Sequence, residues 1–466
     1  MQRVLIRSIC LLIALFLSVV PAVSEEYFLV RIDDDRKSDE TEVQLLERLG
    51  FTYMRSVDSG RRELHLVSAP YELSKSLIKD LKRSERRLRH IELVEDLYLN
   101  DLVENEARVS AFQDALDYAE AIASQGSKTE NFHGAKVLKG YAKQRLVDIL
   151  DFDSVHRHYG TGDAVIAVID TGVDPFHPGL VRSLVPGYDF IFDEPGYASE
   201  WKELDPELSQ QLMEAGSGRV NQSSVAILSQ SSVAILDQSS VAILSQSSVA
   251  ILSQPKYQSF GHGTMVAGMI RLAAPTAKIM PLKAFRPDGI ASTADIVDAI
   301  YFAVANGADV INMSFSFETF SEETMRAINH ATRQGVICIS AAGNLGTETL
   351  VYPAALANVT GVAAVTEDQE LSSVSNYGKD LVSVATLGEA LVTTYPGGLY
   401  ASVFGTSFST AIVSGAVAIF RELDKNLDQH GAETALAMKR SRSGDLGHGV
   451  LDLEGALKMF KGKKKR

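Results

Sequence analysis

Two cysteines in 466 residues leave this chain no disulfide framework on which to build. Cys10 falls in the N-terminal apolar run and Cys338 in an apolar strand, so a chain that loses its N-terminus keeps a single thiol and no internal bridge. Basic charge is also scarce: 45 Lys and Arg stand against 59 Asp and Glu, and a formal net charge of -14 argues against broad nucleic-acid binding. Beyond the N-terminus no apolar run is long enough to span a bilayer. No dense Asp/Asn loop of the kind that wraps Ca²⁺ stands out, and no nucleotide or redox cofactor is implied.

At the N-terminus, Arg3 and Arg7 precede an apolar run from Ile9 to Val20, and Ala22-Val23-Ser24 then leads into Glu25-Glu26. Residues 1–24 read as a secretory signal peptide cleaved near Ser24, with an uncleaved membrane anchor as the alternative. Export without disulfides fits a secreted or periplasmic protein of bacterial origin. At the other end, residues 460–466 form a basic tail that reads as a solvated terminus, contact with an anionic surface being the alternative. The 45% hydrophobic content is enough for a large core and a smaller second domain.

Three short stretches carry the chemistry. In Gly405-Thr406-Ser407-Phe408-Ser409 a serine stands at the mouth of a small-residue, apolar helix that runs on to Phe420. A helix N-terminus favours developing negative charge, but a serine hydroxyl still needs a base, and the base an orienting group. Val165-Ile166-Ala167-Val168-Ile169-Asp170 is the apolar run of a buried parallel strand ending in a carboxylate. Gly261-His262-Gly263-Thr264 sets a histidine between glycines at the start of another helix.

Taken together, Asp170-Thr171-Gly172, His262-Gly263-Thr264-Met265-Val266-Ala267-Gly268 and Gly405-Thr406-Ser407 resemble the three motifs of the subtilisin-type (subtilase) serine endopeptidases, in that family's order. The likeness runs from about Gln144 to about Met459. It implies an α/β fold with a mostly parallel sheet flanked by helices, and a triad of Asp170, His262 and Ser407. By the same resemblance Ala341-Ala342-Gly343-Asn344 carries the oxyanion motif, with the Asn344 amide and the Ser407 backbone N–H as donors. Ser314, Phe315 and Ser316 would pair with the substrate backbone, and Val351 would sit at the base of the P1 pocket. Relatives commonly carry Gly-Gly where this chain has Ser316-Phe317, which puts the width of the cleft in question, and relatives with open pockets carry glycine where it has Val351; the resemblance thus implies small or medium apolar P1 residues over large aromatics.

The calcium loop common after the family's histidine helix is expected to be absent, because Met269-Ile270-Arg271-Leu272 runs directly into Ala273-Ala274-Pro275. Ala411 replaces the family's usual proline four residues after the serine; alanine is a good helix former, so helix geometry is expected to survive.

Upstream, residues 25–103 read as a unit of order βαββαβ, with strands at 27–32, 51–57, 63–67 and 91–99 and helices at 41–49 and 71–83. The order resembles the ferredoxin-like prodomain of subtilases, which assists folding and inhibits by laying its C-terminal end, here near Leu97-Tyr98-Leu99-Asn100, in the cleft. An unrelated small α+β domain is the alternative. Residues 104–143 read as a helical or loose linker, 144–459 as the catalytic domain.

Asp170 and His262 are 92 residues apart, far more than in compact family members, so 195–258 reads as an insert. Within it, 223–254 holds four near-identical octapeptides, Ser-Ser-Val-Ala-Ile-Leu-Ser-Gln, with Asp237 the one substitution. Duplication tolerated in a surface loop is the plain reading, since loop-closure entropy grows slowly with length; a short β-stack or a sticky surface are the others.

The expected function is a secreted serine endopeptidase made as a self-processed zymogen, with protein or peptide substrates and its own prodomain as intramolecular inhibitor. A catalytically silent binding or surface protein of the same fold is the alternative.

Overall fold

The computed structural model describes residues 26–33, 40–58, 63–69, 73–98, 117–118, 128–216, 233–236, 255–437 and 444–464. The expected signal peptide, Leu99-Asn100 and most of the octapeptides lie outside the described residues. The chain divides into two units, Met1–Val94 and Glu95–Arg466.

The first unit follows the expected βαββαβ order. Strands Glu26–Ile32, Thr52–Ser56, Leu64–Ala69 and Leu88–Leu93 form one antiparallel sheet in which Leu64–Ala69 and Leu88–Leu93 flank Glu26–Ile32, and Thr52–Ser56 is outermost beside Leu64–Ala69. Alternation along a strand sends every second residue to one face, so Phe28, Val30 and Ile32 share a core with Leu45, Leu46 and Ile91. Helix Glu42–Arg48 starts where its sequence says it should, on a capping box between Thr41 and Gln44. One expectation is corrected: the single strand foreseen over 91–99 is two. Val94 N–H donates to Tyr27 O at 2.8 Å and ends the first ladder, after which Glu95 turns its carbonyl to the amide of Thr293 at 3.0 Å.

The second unit is built on an eight-stranded sheet. Its order is Glu194–Gly196, Gly187–Asp189, Lys278–Lys283, Val165–Asp170, Val310–Met313, Ile337–Ala341, Thr360–Val365 and Val384–Leu387. All pairings are parallel except the first. Apolar runs such as Val165–Ile169 are continuous because helices cover both faces of a parallel sheet. Helix Thr293–Ala305 opens on Ser292, whose hydroxyl accepts from Asp295 N–H at 3.1 Å, a cap that contributes about 1 kcal/mol. Helices His262–Ala273 and Thr406–Leu423 are buried along most of their length and pack on each other; their small residues permit that approach.

Two boundaries differ from the sequence reading. Residues 129–143 are not linker: Thr129–Phe132 and Ala135–Leu138 form a hairpin, and Ala135, Val137, Leu138 and Tyr141 are buried in the main core. The signal is the two-residue turn His133-Gly134, where both φ angles are positive, 45° and 83°. Nor is all of 195–258 a surface insert. Leu204, Leu208 and Leu212 join the same core through the short helix Glu200–Glu203 and the helix Pro206–Gly216.

Of the octapeptides, Val233–Leu236 is described, as a strand antiparallel to Leu399–Val403, which is paired on its other side with Leu391–Tyr395. Deleting Ser223 to Gln254 is expected to spare hydrolysis per active site and to lower the thermal midpoint, since one ladder is lost. A deletion protein that cannot fold would make the repeat a structural requirement.

Candidate active site

Asp170 stands at the carboxyl end of its strand, 1% exposed. Its Oδ1 accepts from Thr171 N–H at 2.8 Å and lies 2.7 Å from His262 Nδ1. A carboxylate only accepts, so Nδ1 carries the proton and the neutral imidazole keeps its lone pair on Nε2. His262 is the first residue of its helix, on a left-handed Gly261. The next residue must be glycine for packing reasons: a Cβ at Gly263 would come within 2.0 Å of Gly172 O. That approach is what brings the histidine helix against the end of the aspartate strand.

Ser407 is the second residue of helix Thr406–Leu423 and is buried. Its hydroxyl donates to Ser314 O at 3.0 Å, while the Ser314 hydroxyl donates to Ser407 O at 2.8 Å. The His262 ring lies 5.9 Å, centroid to centroid, from that of Phe408. Asn344 follows strand Ile337–Ala341 and is also buried. Both the backbone N–H and the hydroxyl of Thr406 donate to Asn344 Oδ1, each at 2.9 Å, which fixes the amide's orientation.

The residues expected to line a substrate are all buried: Ser314, Phe315, Ser316 and Val351. Phe315 stacks on Phe317 at 5.2 Å and tilts against Phe285 at 5.1 Å. Phe317 and Tyr352, next to Val351, exchange two backbone bonds of 2.8 and 2.7 Å. Segments Ser314–Phe317 and Val351–Tyr352 are thereby fastened to each other.

Sequence reading missed Glu200, Lys283 and Thr264. Glu200 is 1% exposed and accepts from Thr171 and Thr264, while the Lys283 ammonium donates to Thr171 O at 2.8 Å. Nothing in the sequence separates Glu200 from Glu194, Glu203 or Glu207 around it. The edge strand Ile290–Ser292 was missed too; its antiparallel partner Asp96–Tyr98 falls within the strand expected over 91–99. Among the described residues no group of three or more His, Cys, Asp or Glu is placed to hold a metal ion, and no helix is long and apolar enough to cross a membrane. The histidine helix continues unbroken to Ala273.

Comparison with known proteins gives the same direction. The model of the subtilase family matches residues 161–455. A thermophilic serine proteinase of Bacillus sp. (strain AK1) is 30% identical over 267 residues, 57% of this chain and 54% of that protein. Subtilisin BL of Lederbergia lenta is 36% identical over 171 residues, 35% of this chain and 63% of the relative. The chain thus spans from about half to under two thirds of the length of these relatives. Among solved structures, a lanthipeptide protease superposes with a TM-score of 0.50 at 22% identity, over 68% of this chain and 93% of that one, a likeness of fold.

Proposed function

The chain belongs to the subtilase family of serine peptidases, and from that premise we propose that it is a secreted serine endopeptidase, made as a zymogen, acting through Asp170, His262 and Ser407. The observation that carries the reading is the 2.7 Å contact between Asp170 Oδ1 and His262 Nδ1, with Ser407 and Asn344 held at neighbouring strand and helix ends and joined through Thr406.

In this reading the Ser407 hydroxyl turns from Ser314 O to His262 Nε2 when substrate arrives. Ser314 O is then released to accept a substrate amide, so one movement prepares both nucleophile and binding strand. His262 takes the hydroxyl proton and returns it to the leaving amine, while Asp170 holds the tautomer and stabilises the imidazolium. Charge on the scissile carbonyl oxygen is received by Asn344 and the Ser407 backbone N–H.

Support for the zymogen comes from Asp96–Tyr98, which adds an antiparallel strand to Ile290–Ser292, with Leu97 buried. Ala291 bridges Phe285, and Phe285 packs on Phe315, so a chain on this edge runs beside the proposed substrate strand. Backbone pairing of that kind is how an extended peptide docks on a sheet edge. The reading is tested by following intact mass and casein hydrolysis of the wild type beside Ser407→Ala. Fully buried Val351, with Phe317 packed on Phe315, argues for small or medium apolar P1 side chains. Peptides with Ala at P1 are expected to exceed Phe peptides in kcat/KM; comparable rates would remove that preference.

A further inference from the structure

Behind the Asp170–His262 pair lies a second carboxylate that the mechanism above does not use. Glu200, the first residue of the short helix Glu200–Glu203, is 1% exposed. Its Oε1 accepts from the Thr171 hydroxyl at 2.5 Å, and its Oε2 accepts from the Thr264 hydroxyl. Thr171 follows Asp170, and Thr264 is two residues past His262. Each hydroxyl oxygen is itself an acceptor, Thr171 Oγ1 from Gly263 N–H at 3.0 Å and Thr264 Oγ1 from Asp174 N–H at 2.7 Å. A hydroxyl has one proton to give: that of Thr264 goes to Glu200, and that of Thr171 has Glu200 at 2.5 Å and Asp170 Oδ1 at 3.3 Å to choose between, the shorter contact being the better bond. Both carboxylate oxygens are therefore acceptors, the arrangement of the ionised form.

The surroundings act on that carboxylate from both sides. Lys283, fully buried, donates from Nζ to Thr171 O and Phe285 O at 2.8 and 3.3 Å and pairs with Glu203 at 2.7 Å. Burial, and after it the Asp170 charge, hold the Glu200 carboxyl above the usual carboxylate range, and the two threonine bonds and Lys283 limit that rise. Asp170 and the Tyr395 phenol also face it, while Asp174 is engaged by Trp201 Nε1 at 2.9 Å.

We propose that Glu200 is a positioning residue for the triad: through two threonine hydroxyls it clamps the turn after Asp170 to the helix that carries His262, and it sets a second negative charge behind the imidazole. The proposal rests on the peptidase reading. Glu200 acts through Thr171 and Thr264 and touches none of the reacting atoms. Its charge adds to that of Asp170 in favouring imidazolium, so its loss lowers the pH at which His262 titrates.

The test uses the full chain with Glu200→Gln, measured in two ways. The titration of His262 is followed by NMR of ¹⁵N-histidine-labelled protein in a Ser407→Ala background, where no activity is needed. In the active background kcat and KM are followed against pH, per titrated active site. The expected result is a His262 titration and an acid limb both moved to lower pH. The plateau kcat falls roughly tenfold, a fraction of the 10²–10⁴ that positioned proton transfer supplies, with KM little changed. An unmoved titration, limb and kcat, with only a lower thermal midpoint, would make Glu200 a structural pin and overturn the proposal. Should Glu200→Gln not fold, Thr264→Val, which opens one side of the clamp and keeps the Glu200 charge, is expected to lower the plateau kcat with the His262 titration little moved, and Thr264→Ser to restore the wild-type kcat; equal kcat in both overturns the proposal. A wild type that hydrolyses no peptide sinks the peptidase reading, while the NMR titrations still decide whether Glu200 acts on His262.

Discussion

Ser407→Ala protein is expected to keep its full mass while the wild type shortens, by a cut between about Asn100 and Lys128, ahead of the hairpin that joins the main core, and to lose casein hydrolysis almost completely. The hydroxyl it removes is the one that donates to Ser314 O at the mouth of helix Thr406–Leu423. Alanine is well tolerated in a helix, and the Ser314 hydroxyl still finds the backbone carbonyl of residue 407. The fold should therefore survive while the chemistry fails. Removing a triad nucleophile costs on the order of 10⁶ in kcat, a scale established on subtilisin itself. Equal shortening of both proteins would assign the cut to another protease. Inactivity of both would turn attention to Ser316 and Phe317 and to a cleft that binds without cutting.

The second large effect is expected from Asn344→Ala. Its amide oxygen is committed to Thr406, so the N–H₂ is the end offered to the proposed substrate. An oxyanion donor acts on charge that appears only in the transition state, so kcat should fall by about 10²–10³ with KM nearly unchanged, again a figure established on subtilisin. The substitution also leaves the Thr406 N–H without its acceptor, which costs about 1–3 kcal/mol of stability if no water replaces it. Asn344→Asp separates the two effects: it keeps an acceptor for Thr406 and still removes the donor. A loss confined to KM in both variants would move Asn344 from the oxyanion to ground-state binding.

Much of the fold could be read in advance because local rules and the final packing agree. The run Val165–Ile169 is apolar throughout because both faces of its sheet are covered, and Ser292 and Thr41 cap the helices they precede. Reading failed where a residue's role depends on distant partners. Residues 129–143 looked like linker because the stretch they end is charged and alanine-containing with little sustained periodicity, and the core that buries Val137 and Tyr141 comes from far along the chain. Glu200 was invisible for the same reason: a glutamate becomes a buried acceptor only when Thr171 and Thr264 close over it.

By itself, then, the sequence determined the family, the α/β alternation and the identity of Asp170, His262, Ser407 and Asn344 as candidates, because motif chemistry and strand and helix periods are local properties. The tertiary structure alone decided which groups meet. It put Asp170 against His262, engaged Ser407 with Ser314, laid Asp96–Tyr98 along Ile290–Ser292 and drew Glu200 to Thr171 and Thr264. These pairings join residues tens to hundreds of positions apart, and their energies come from burial and hydrogen-bond geometry that no local stretch of chain contains.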